Sequence, residues 1–492
     1  MSNSSGRGLQ PGALGMFDTV VMAIAGSAPA YSLAATTAVL VGAVGLASPA
    51  ALLYCAVPMA GIALAFSRLS RIDVNAGASY SWVGRTLHPF LGFISGWALV
   101  VSATIFMVAG SLPAGAMTLA LFDESLARNT ALATVVGAGW FLVMLLVVLG
   151  GARLTVRAQL LMSGVEMVIL AVFLVLAVVR VEHARPFDWS WLGFGHFDGS
   201  AGFAAGALVA AFYYWGWDVA SNLSEETRDS RRTTGLAGLI GLGVVFLLFE
   251  AFTITVNMVL TERQIAEHGA NVLGALGEEI WPGPGGKLLI VAVMLSTIAT
   301  LETTLIQVTR SLFAMGRDRT MPPALGRVHR RWNTPWVAIA VVGAVALALF
   351  LASNALGSVG EILGYAIAAM GLQIALYYGL AGLAAVVAYR RTLFSSPGGL
   401  LLGGVWPLFG SLFMFWIFVE SLSELSGPAV ALGIGGLAVG LVPMFWYWRR
   451  GSDYYRPAAL DASRAVESDY RVPDSRTASS ASRVHEGLPT DF

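Results

Sequence analysis

Apolar residues fall in long continuous runs along the chain, separated by short polar connections. A helix needs about 20 mostly apolar residues to cross the hydrocarbon core of a bilayer, and twelve runs match that requirement. They lie near residues 17–45, 49–67, 89–121, 131–150, 158–181, 201–224, 235–260, 287–315, 336–354, 361–389, 400–420 and 428–448. A membrane-spanning β-strand would instead alternate apolar and polar residues, whereas residues 140–149 (WFLVMLLVVL) are apolar throughout. The pattern predicts an all-α polytopic membrane protein with twelve transmembrane helices.

The composition supports a chain surrounded by lipid. Hydrophobic residues make up 57% of it and charged residues only 12%, about half the charged share of ordinary soluble domains. The 29 basic and 29 acidic residues balance, so the net charge does not indicate nucleic acid as a partner. The single cysteine excludes an internal disulfide, and the chain has no P-loop, dinucleotide fingerprint or His-x-x-x-His pair. We therefore expect no cofactor and no metal, with the lipid bilayer as the main partner.

The arginines predict the orientation in the membrane. With the N-terminus in the cytoplasm and the loops assigned alternately, 24 of the 29 basic residues fall on the cytoplasmic side. Basic residues favour that side in short loops. Both termini are therefore predicted to be cytoplasmic, residues 1–16 as an N-terminal tail and residues 449–492, rich in polar residues and proline, as a disordered C-terminal tail.

Two apolar spans are interrupted near their middles. Residues 25–30 (AGSAPA) interrupt the first span and residues 213–218 (YYWGWD) the sixth. Proline and glycine disturb a helix, and either site alone is compatible with an ordinary kink. Two breaks five helices apart are instead typical of inverted repeats whose discontinuous helices build the binding site. We predict a ten-helix core over residues 17–390, arranged as a 5+5 repeat with helices 1 and 6 discontinuous, followed by helices 11 and 12 over residues 400–448.

The ends of the half-helices have opposite polarity. The free amides at the start of the second half of helix 1 would face an anion such as a carboxylate. Unwound carbonyls and the C-terminal ends of half-helices would face a cation such as an ammonium. A zwitterion would suit both ends.

Four stretches of the chain resemble the amino acid–polyamine–organocation superfamily, which has the LeuT-type fold. Gly26-Ser27-Ala28 is similar to its Gly-Ser-Gly loop, although Ala28 replaces the second glycine and Pro29 is an addition. The other stretches are residues 75–80 (NAGASY) with 89–97 (PFLGFISGW), residues 212–229 (FYYWGWDVASNLSEETRD), and residues 309–318 (TRSLFAMGRD) with the following Met321-Pro322. The resemblance implies an alternating-access transporter for amino acids or related amines.

The substrate is expected between the two breaks. The candidate binding residues are Gly26, Ser27, Ala28, Pro29, Tyr31, Phe212, Tyr214, Trp215, Gly216 and Asp218. Asp218 would take a substrate amine or order the unwound segment. The aromatic side chains would close over the substrate or simply pack.

Six acidic residues lie within apolar spans, where charge is costly and indicates function or a partner. They are Asp18, Glu166, Asp218, Glu250, Glu302 and Glu420. In the resemblance, Glu166 is similar to a position often held by lysine in proton-coupled members, where the lysine stands in for a sodium ion bound between helices 1, 5 and 8. Here a buried carboxyl could carry a proton, hold a cation or a substrate amine, or remain a neutral hydrogen-bonded acid.

A second group of candidates lies on the eighth span. Ser296, Thr300 and Thr303 resemble the cation-site face of the superfamily, and Glu302 would pair with Arg310 two turns on or line the pathway. At the cytoplasmic end of helix 6, Glu225 and Glu226 lie close to Arg228, Arg231 and Arg232. That cluster predicts an interfacial ion network or gate.

The function expected from these features is secondary active transport across the plasma membrane. Proton-coupled uptake of an amino acid or amine is favoured, with sodium coupling and with polyamine or amino-acid exchange as alternatives, in a monomer or a homodimer. An integral-membrane enzyme would need clustered His, Asp or Glu near one membrane face, and we find none. A channel or a sensor on the same scaffold is the remaining alternative, and the sequence leaves the identity of the substrate open.

Overall fold

The computed structural model describes residues 8–180, 185–424 and 427–456. Within these ranges the chain is almost entirely helical, and the only β-type pairing is an isolated bridge between Leu14 and Thr227. The predicted all-α polytopic class is therefore confirmed.

The helices of the first half range from 8 to 32 residues in length. They are α1 (Met16–Gly26), α2 (Pro29–Val44), α3 (Ser48–Ile72), α4 (Ser79–Thr86), α5 (Pro89–Ala120), α6 (Thr130–Leu149) and α7 (Ala152–Arg180). Pro29 and Pro89 lie in the first turns of α2 and α5, where proline has no hydrogen bond to lose and its fixed φ suits the helix.

The second half also contains both short and long helices. It contains α8 (Gly199–Tyr213), α9 (Val219–Asn222), α10 (Ser230–Val259), α11 (Pro284–Arg317), α12 (Trp336–Ser353), α13 (Val359–Tyr389), α14 (Pro397–Ser423) and α15 (Pro428–Arg449). Two shorter helices, Glu262–His268 and Val272–Ile280, lie in the connection between α10 and α11.

Ten stretches in the described residues are long and apolar enough to span a membrane. One of them, Met16–Ile72, contains α1, α2 and α3 together, and the apolar α8 is shorter than a full crossing. The count of twelve crossings stays a prediction.

The two long helices α5 and α11 form the centre of the bundle and pack against each other. Helix α11 also contacts α1, α2 and α7. It is unusually polar for a buried helix, and its buried polar residues include Ser296, Thr300, Glu302, Gln307 and Arg310. Because backbone bonds within a helix are already satisfied, these side chains need partners on neighbouring elements. The candidate site lies where those partners are found.

The predicted disordered tail begins later than expected. Residues Asp453–Tyr455 form a short helical turn after α15, and Tyr454 is buried. The prediction of disorder from residue 449 was wrong for residues 449–456, because the aromatic ring of Tyr454 gains from burial despite its polar neighbours. The rest of that tail, residues 457–492, lies outside the described residues, as do residues 1–7 of the N-terminal tail.

Candidate functional site

The first break separates α1 from α2 at Ser27 and Ala28. Ala28 adopts a left-handed conformation with φ of 49°, which interrupts a right-handed helix. Pro29 then begins α2 without a backbone donor. The broken first helix is therefore produced locally, by the two residues that depart from the Gly-Ser-Gly pattern.

The second break separates α8 from α9 and lies directly against the first. Gly216 has φ of 100°, and a Cβ added there would lie 2.0 Å from the carbonyl oxygen of Gly26. A Cβ on Gly26 would lie 2.3 Å from the carbonyl oxygen of Gly216. The two backbones approach this closely only because both positions are glycine.

Glu166 of α7 caps the start of α2. Its Oε1 accepts a hydrogen bond from the amide of Ala30 at 2.9 Å. The side chain is buried, and its Oε2 has no hydrogen-bond partner among the described residues. We expected this half-helix to face an anion, and in the structure the protein itself provides one.

Hydroxyl groups of α11 hold the two halves of the first helix. The amide of Tyr31 donates to Ser296 Oγ at 3.2 Å, and Thr300 Oγ1 donates to the carbonyl of Ala25 at 3.0 Å. Thr303 Oγ1 instead donates to the carbonyl of Thr300 within its own helix. Ser296 and Thr300 thus contact both sides of the break, and Thr303 does not.

Glu302 lies on another face of α11 and does not pair with Arg310, so that expectation was wrong. Glu302 and Arg310 are eight positions apart, which corresponds to about 12 Å along the axis of α11 and about 80° around it. Arg310 therefore faces the segment after α9, where Glu226 lies. Gln159 of α7, with its amide nitrogen toward α11, donates to Glu302 Oε2 at 2.8 Å. Glu302 Oε1 is buried and has no partner in the described part of the chain.

Asp218 at the second break is surrounded by donors. Its Oδ1 accepts from Tyr378 Oη at 2.9 Å, and its Oδ2 accepts from Tyr377 Oη at 3.0 Å and from Gln307 Nε2 at 2.9 Å. Trp215 Nε1 in turn donates to Tyr377 Oη at 2.6 Å. Of the two roles considered for Asp218, this geometry favours ordering of the unwound segment.

The predicted aromatic residues separate into two groups. Tyr31 and Trp215 both make edge contacts with Phe106, at centroid distances of 5.8 and 5.6 Å, and Phe212 lies beside Trp215. Tyr214 faces away from this cluster and donates to the carbonyl of Leu52 on α3 at 2.9 Å. Ser27, also buried, directs its hydroxyl back to the carbonyl of Ala23.

The ion network predicted at the end of the sixth span, directly after α9, forms with partners other than the ones expected. Glu226 makes a buried two-point pair with Arg310, at 3.0 and 3.1 Å. Glu225 pairs with Arg317 at 2.9 Å and also accepts from the amide of Ala76. These contacts connect the segment after α9, the end of α11 and the segment before α4.

Arg228 does not join this network. Its Nε donates to the carbonyl of Gly12 at 2.9 Å, and its amide donates to the carbonyl of Leu14. The N-terminal tail therefore packs against the segment after α9. Its carbonyls accept the hydrogen bonds of Arg228, which we had placed in the gate.

Several residues of the site were not identified from the sequence. Tyr377 and Tyr378 form an adjacent polar pair within an apolar span, which could have indicated a buried partner for Asp218. Gln159 lies seven residues before Glu166 and thus on the same helix face, a spacing that could have linked the two. No group of three His, Cys, Asp or Glu side chains in the described ranges is arranged to hold a metal ion.

Two broken helices that meet inside a polytopic bundle, with buried carboxyls among the residues around them, are the arrangement expected of a membrane transporter. Residues 14–442 match the sequence model of a family described as amino acid permease. Because the match covers most of the chain, the protein belongs to this family. The expected class, a multi-pass transporter and not an enzyme, is confirmed.

The chain is similar to several transporters over most or much of its length. An uncharacterised transporter of Mycobacterium tuberculosis is 27% identical over 87% of this chain and 90% of its own length. The low-affinity putrescine importer PlaP of Escherichia coli is 29% identical over 61% of this chain and 66% of its own. The branched-chain amino acid permease BcaP of Bacillus subtilis is 24% identical over 79% and 83%, respectively.

Proposed function

We propose that this protein takes up amino acids or related amines across the plasma membrane by alternating access, together with a proton. Both termini would lie in the cytoplasm, and the substrate would bind between the two breaks. The observation that carries the proposal is the unpartnered carboxylate oxygen of Glu166, buried at the start of α2 directly after the first break.

The choice of substrate class is supported by the family and by the site. Relatives that are named for their substrates carry putrescine or branched-chain amino acids, and every such compound contains an amine. A buried carboxylate oxygen is a strong acceptor for an ammonium group. The aromatic cluster of Tyr31, Phe106 and Trp215, which begins at the first break, would add favourable contact with a cation.

The choice of a proton is supported by the second buried carboxyl. Glu302 is fully buried and has one oxygen without a partner. An ionised carboxylate in that position is costly, because Glu302 lacks the helix-start amide that favours the charged form of Glu166, and a bound proton removes the charge. The free energy of this buried position therefore depends on whether Glu302 is protonated, which is what proton coupling requires of a residue.

The test is uptake into proteoliposomes under an imposed gradient. Purified full-length protein should accumulate labelled substrate when the outside is acidic, and a protonophore should abolish the accumulation. Accumulation that follows a sodium gradient and ignores pH would contradict proton coupling. Uptake that requires unlabelled substrate inside the vesicles would instead indicate exchange.

The coupling group is tested by Glu302→Gln. We expect this variant to lose accumulation driven by the pH gradient and to retain exchange of labelled for unlabelled substrate, since the neutral amide keeps the shape of a protonated carboxyl. Glu420→Gln is a matched control, because Glu420 lies in α14 away from the site and its carboxylate accepts from Trp416 of the same helix. Gradient-driven accumulation that persists in Glu302→Gln would exclude Glu302 as the proton carrier.

A further inference from the structure

We propose that Glu166 occupies the anion site at the start of α2, and that the substrate is consequently an organic amine without a carboxylate. This inference rests on the proposed function, since it selects one of the two substrate classes that the site would otherwise accept. The supporting observation is that no backbone amide at the first break is free to bind a substrate carboxylate.

Every backbone donor from Ser27 to Ser32 is either used within the protein or absent. Pro29 has no N–H. The other amides donate to protein acceptors as follows: Ser27 to Ile24 O (3.1 Å), Ala28 to Ala25 O (3.1 Å), Ala30 to Glu166 Oε1 (2.9 Å), Tyr31 to Ser296 Oγ (3.2 Å) and Ser32 to Ala28 O (2.7 Å). A substrate carboxylate would find no free amide here.

The charge of Glu166 opposes a substrate carboxylate as well. The start of a helix carries a partial positive charge that favours one anion within its first turn. Glu166 already supplies that anion, and a second carboxylate beside it would be repelled in a site of low dielectric constant. The start of α2, a helix of 16 residues, is thus a filled anion site.

The same arrangement is favourable for an ammonium group. Glu166 Oε2 is unpartnered, and only 1% of the Glu166 side chain is exposed. Tyr31, one residue beyond the amide bound by Glu166, begins the aromatic cluster with Phe106 and Trp215. A carboxylate oxygen and aromatic faces together are the chemistry that binds an organic ammonium.

Asp218 does not offer a competing site for the amine. Its oxygens already accept three hydrogen bonds from Tyr377, Tyr378 and Gln307. Glu302 lies behind Gln159, near the cytoplasmic half of α7. The assignment therefore gives the amine to Glu166 and leaves Glu302 for the proton.

Matched pairs of ligands test the proposal directly. We would measure binding of phenethylamine against phenylalanine, putrescine against ornithine and cadaverine against lysine to purified full-length protein, followed by uptake of each into proteoliposomes. In at least one pair the amine should bind about tenfold or more tightly than its parent amino acid, as expected when the carboxylate of the amino acid loses water without gaining a donor. Equal or tighter binding of the amino acid in every pair that binds would overturn the proposal.

The outcomes also separate this inference from the proposed function. If an amino acid is accumulated and its amine is not, the protein is still a proton-coupled transporter but the filled anion site is wrong. If wild-type protein transports an amine and not its parent amino acid, both proposals are supported. If no amine or amino acid binds or is taken up, the proposed function itself fails and this inference fails with it.

Two variants of Glu166 test the role of its charge. Glu166→Gln keeps the acceptor for Ala30 and removes the charge, so amine affinity should fall about tenfold or more. Glu166→Ala also frees the amide of Ala30, so the ratio of amine to amino acid affinity should shift toward the amino acid. Glu420→Gln should leave that ratio unchanged, because it removes a carboxyl of another helix.

A change in folding is separated from a change in recognition by thermal unfolding of each variant in detergent. If the Glu166 variants unfold at a markedly lower temperature than wild type, the ligand pairs measured on wild-type protein alone decide whether the substrate lacks a carboxylate. If they fold and keep the wild-type preference for the amine, Glu166 does not determine the substrate class and the proposal is overturned.

Discussion

Close backbone contact and the pairing of buried charges are the two demands that individual residues meet in this protein. Gly26 and Gly216 allow the two broken segments to touch, and Glu226 neutralises Arg310 inside the bundle. Neither feature tolerates a small chemical change, because there is no solvent nearby to fill a gap or to hydrate a charge.

Gly216→Ala should abolish transport and lower the thermal stability of the protein. The added Cβ would overlap the carbonyl of Gly26, and alanine is strained at φ of 100°. Uptake and the unfolding midpoint in detergent measure the effect. Gly164→Ala on α7 is the control, because nothing lies within 4 Å of its added Cβ. Wild-type uptake by Gly216→Ala would show that the breaks need not touch.

Glu226→Gln should destabilise the protein by about 3–5 kcal/mol, the usual cost of leaving a buried charge without its partner. Glu225→Gln should cost about 1 kcal/mol or less, since its pair with Arg317 is partly exposed to solvent. Thermal unfolding of both variants in detergent checks the difference. Similar midpoints for the two would contradict the assignment of Glu226 and Arg310 as the buried pair.

Among the helices and loops, the segment after α15 has the clearest mechanical role. Tyr454 stacks on Tyr80 of α4 at a centroid distance of 4.6 Å and donates to the Tyr80 carbonyl at 3.0 Å. Ser452 donates to the carbonyl of Asp318 after α11. This C-terminal segment therefore fastens α4 to the end of α11, on the same side as the pairs of Glu225 and Glu226.

Tyr454→Ala should more often open this side of the protein, which the arginines predict to be cytoplasmic. Losing an aromatic contact and a buried hydrogen bond should raise the open population about tenfold or more. The reporter is Ser81→Cys, which lines a cavity of about 540 Å³ beside Tyr454, in a background where the sole native cysteine, the buried Cys55, is replaced by serine. A maleimide applied from the cytoplasmic side should react faster.

Tyr454→Phe is the matched variant for this experiment. It keeps the ring on Tyr80 and loses only the hydroxyl bond, so its labelling rate should lie between those of wild type and Tyr454→Ala. An unchanged rate in Tyr454→Ala would show that the C-terminal segment does not restrain the cytoplasmic side.

For the molecule as a whole, the distribution of arginine predicts the topology. Reporter domains fused at either terminus should be cytoplasmic, whereas a reporter inserted near Gly269, between α10 and α11, should lie outside. Activity of green fluorescent protein and of alkaline phosphatase at these positions distinguishes the two sides. Active phosphatase at either terminus would contradict the orientation, and active phosphatase at only one of them would also contradict the even number of crossings.

Most of the fold was predictable because its signals are local. Long apolar runs, the proline and glycine at the breaks and the family motifs are properties of short segments. The structured turn at Tyr454 was not predictable in this way, since a single aromatic residue in a polar tail gains burial only from a surface built elsewhere in the chain. The break at Ala28, by contrast, lies within the six residues, 25–30, that the sequence predicted.

The sequence was sufficient for the class of protein, the position of both broken helices and three of the buried acids, Glu166, Asp218 and Glu302. Hydrophobicity and backbone preference act within a few residues, so these conclusions need no knowledge of packing. The partner of each acid depended on the fold. Glu166 meets an amide 136 residues away, and Glu226 meets an arginine 84 residues away. Such pairs form because helix packing brings distant residues together, and only there does a buried charge find the group that neutralises it.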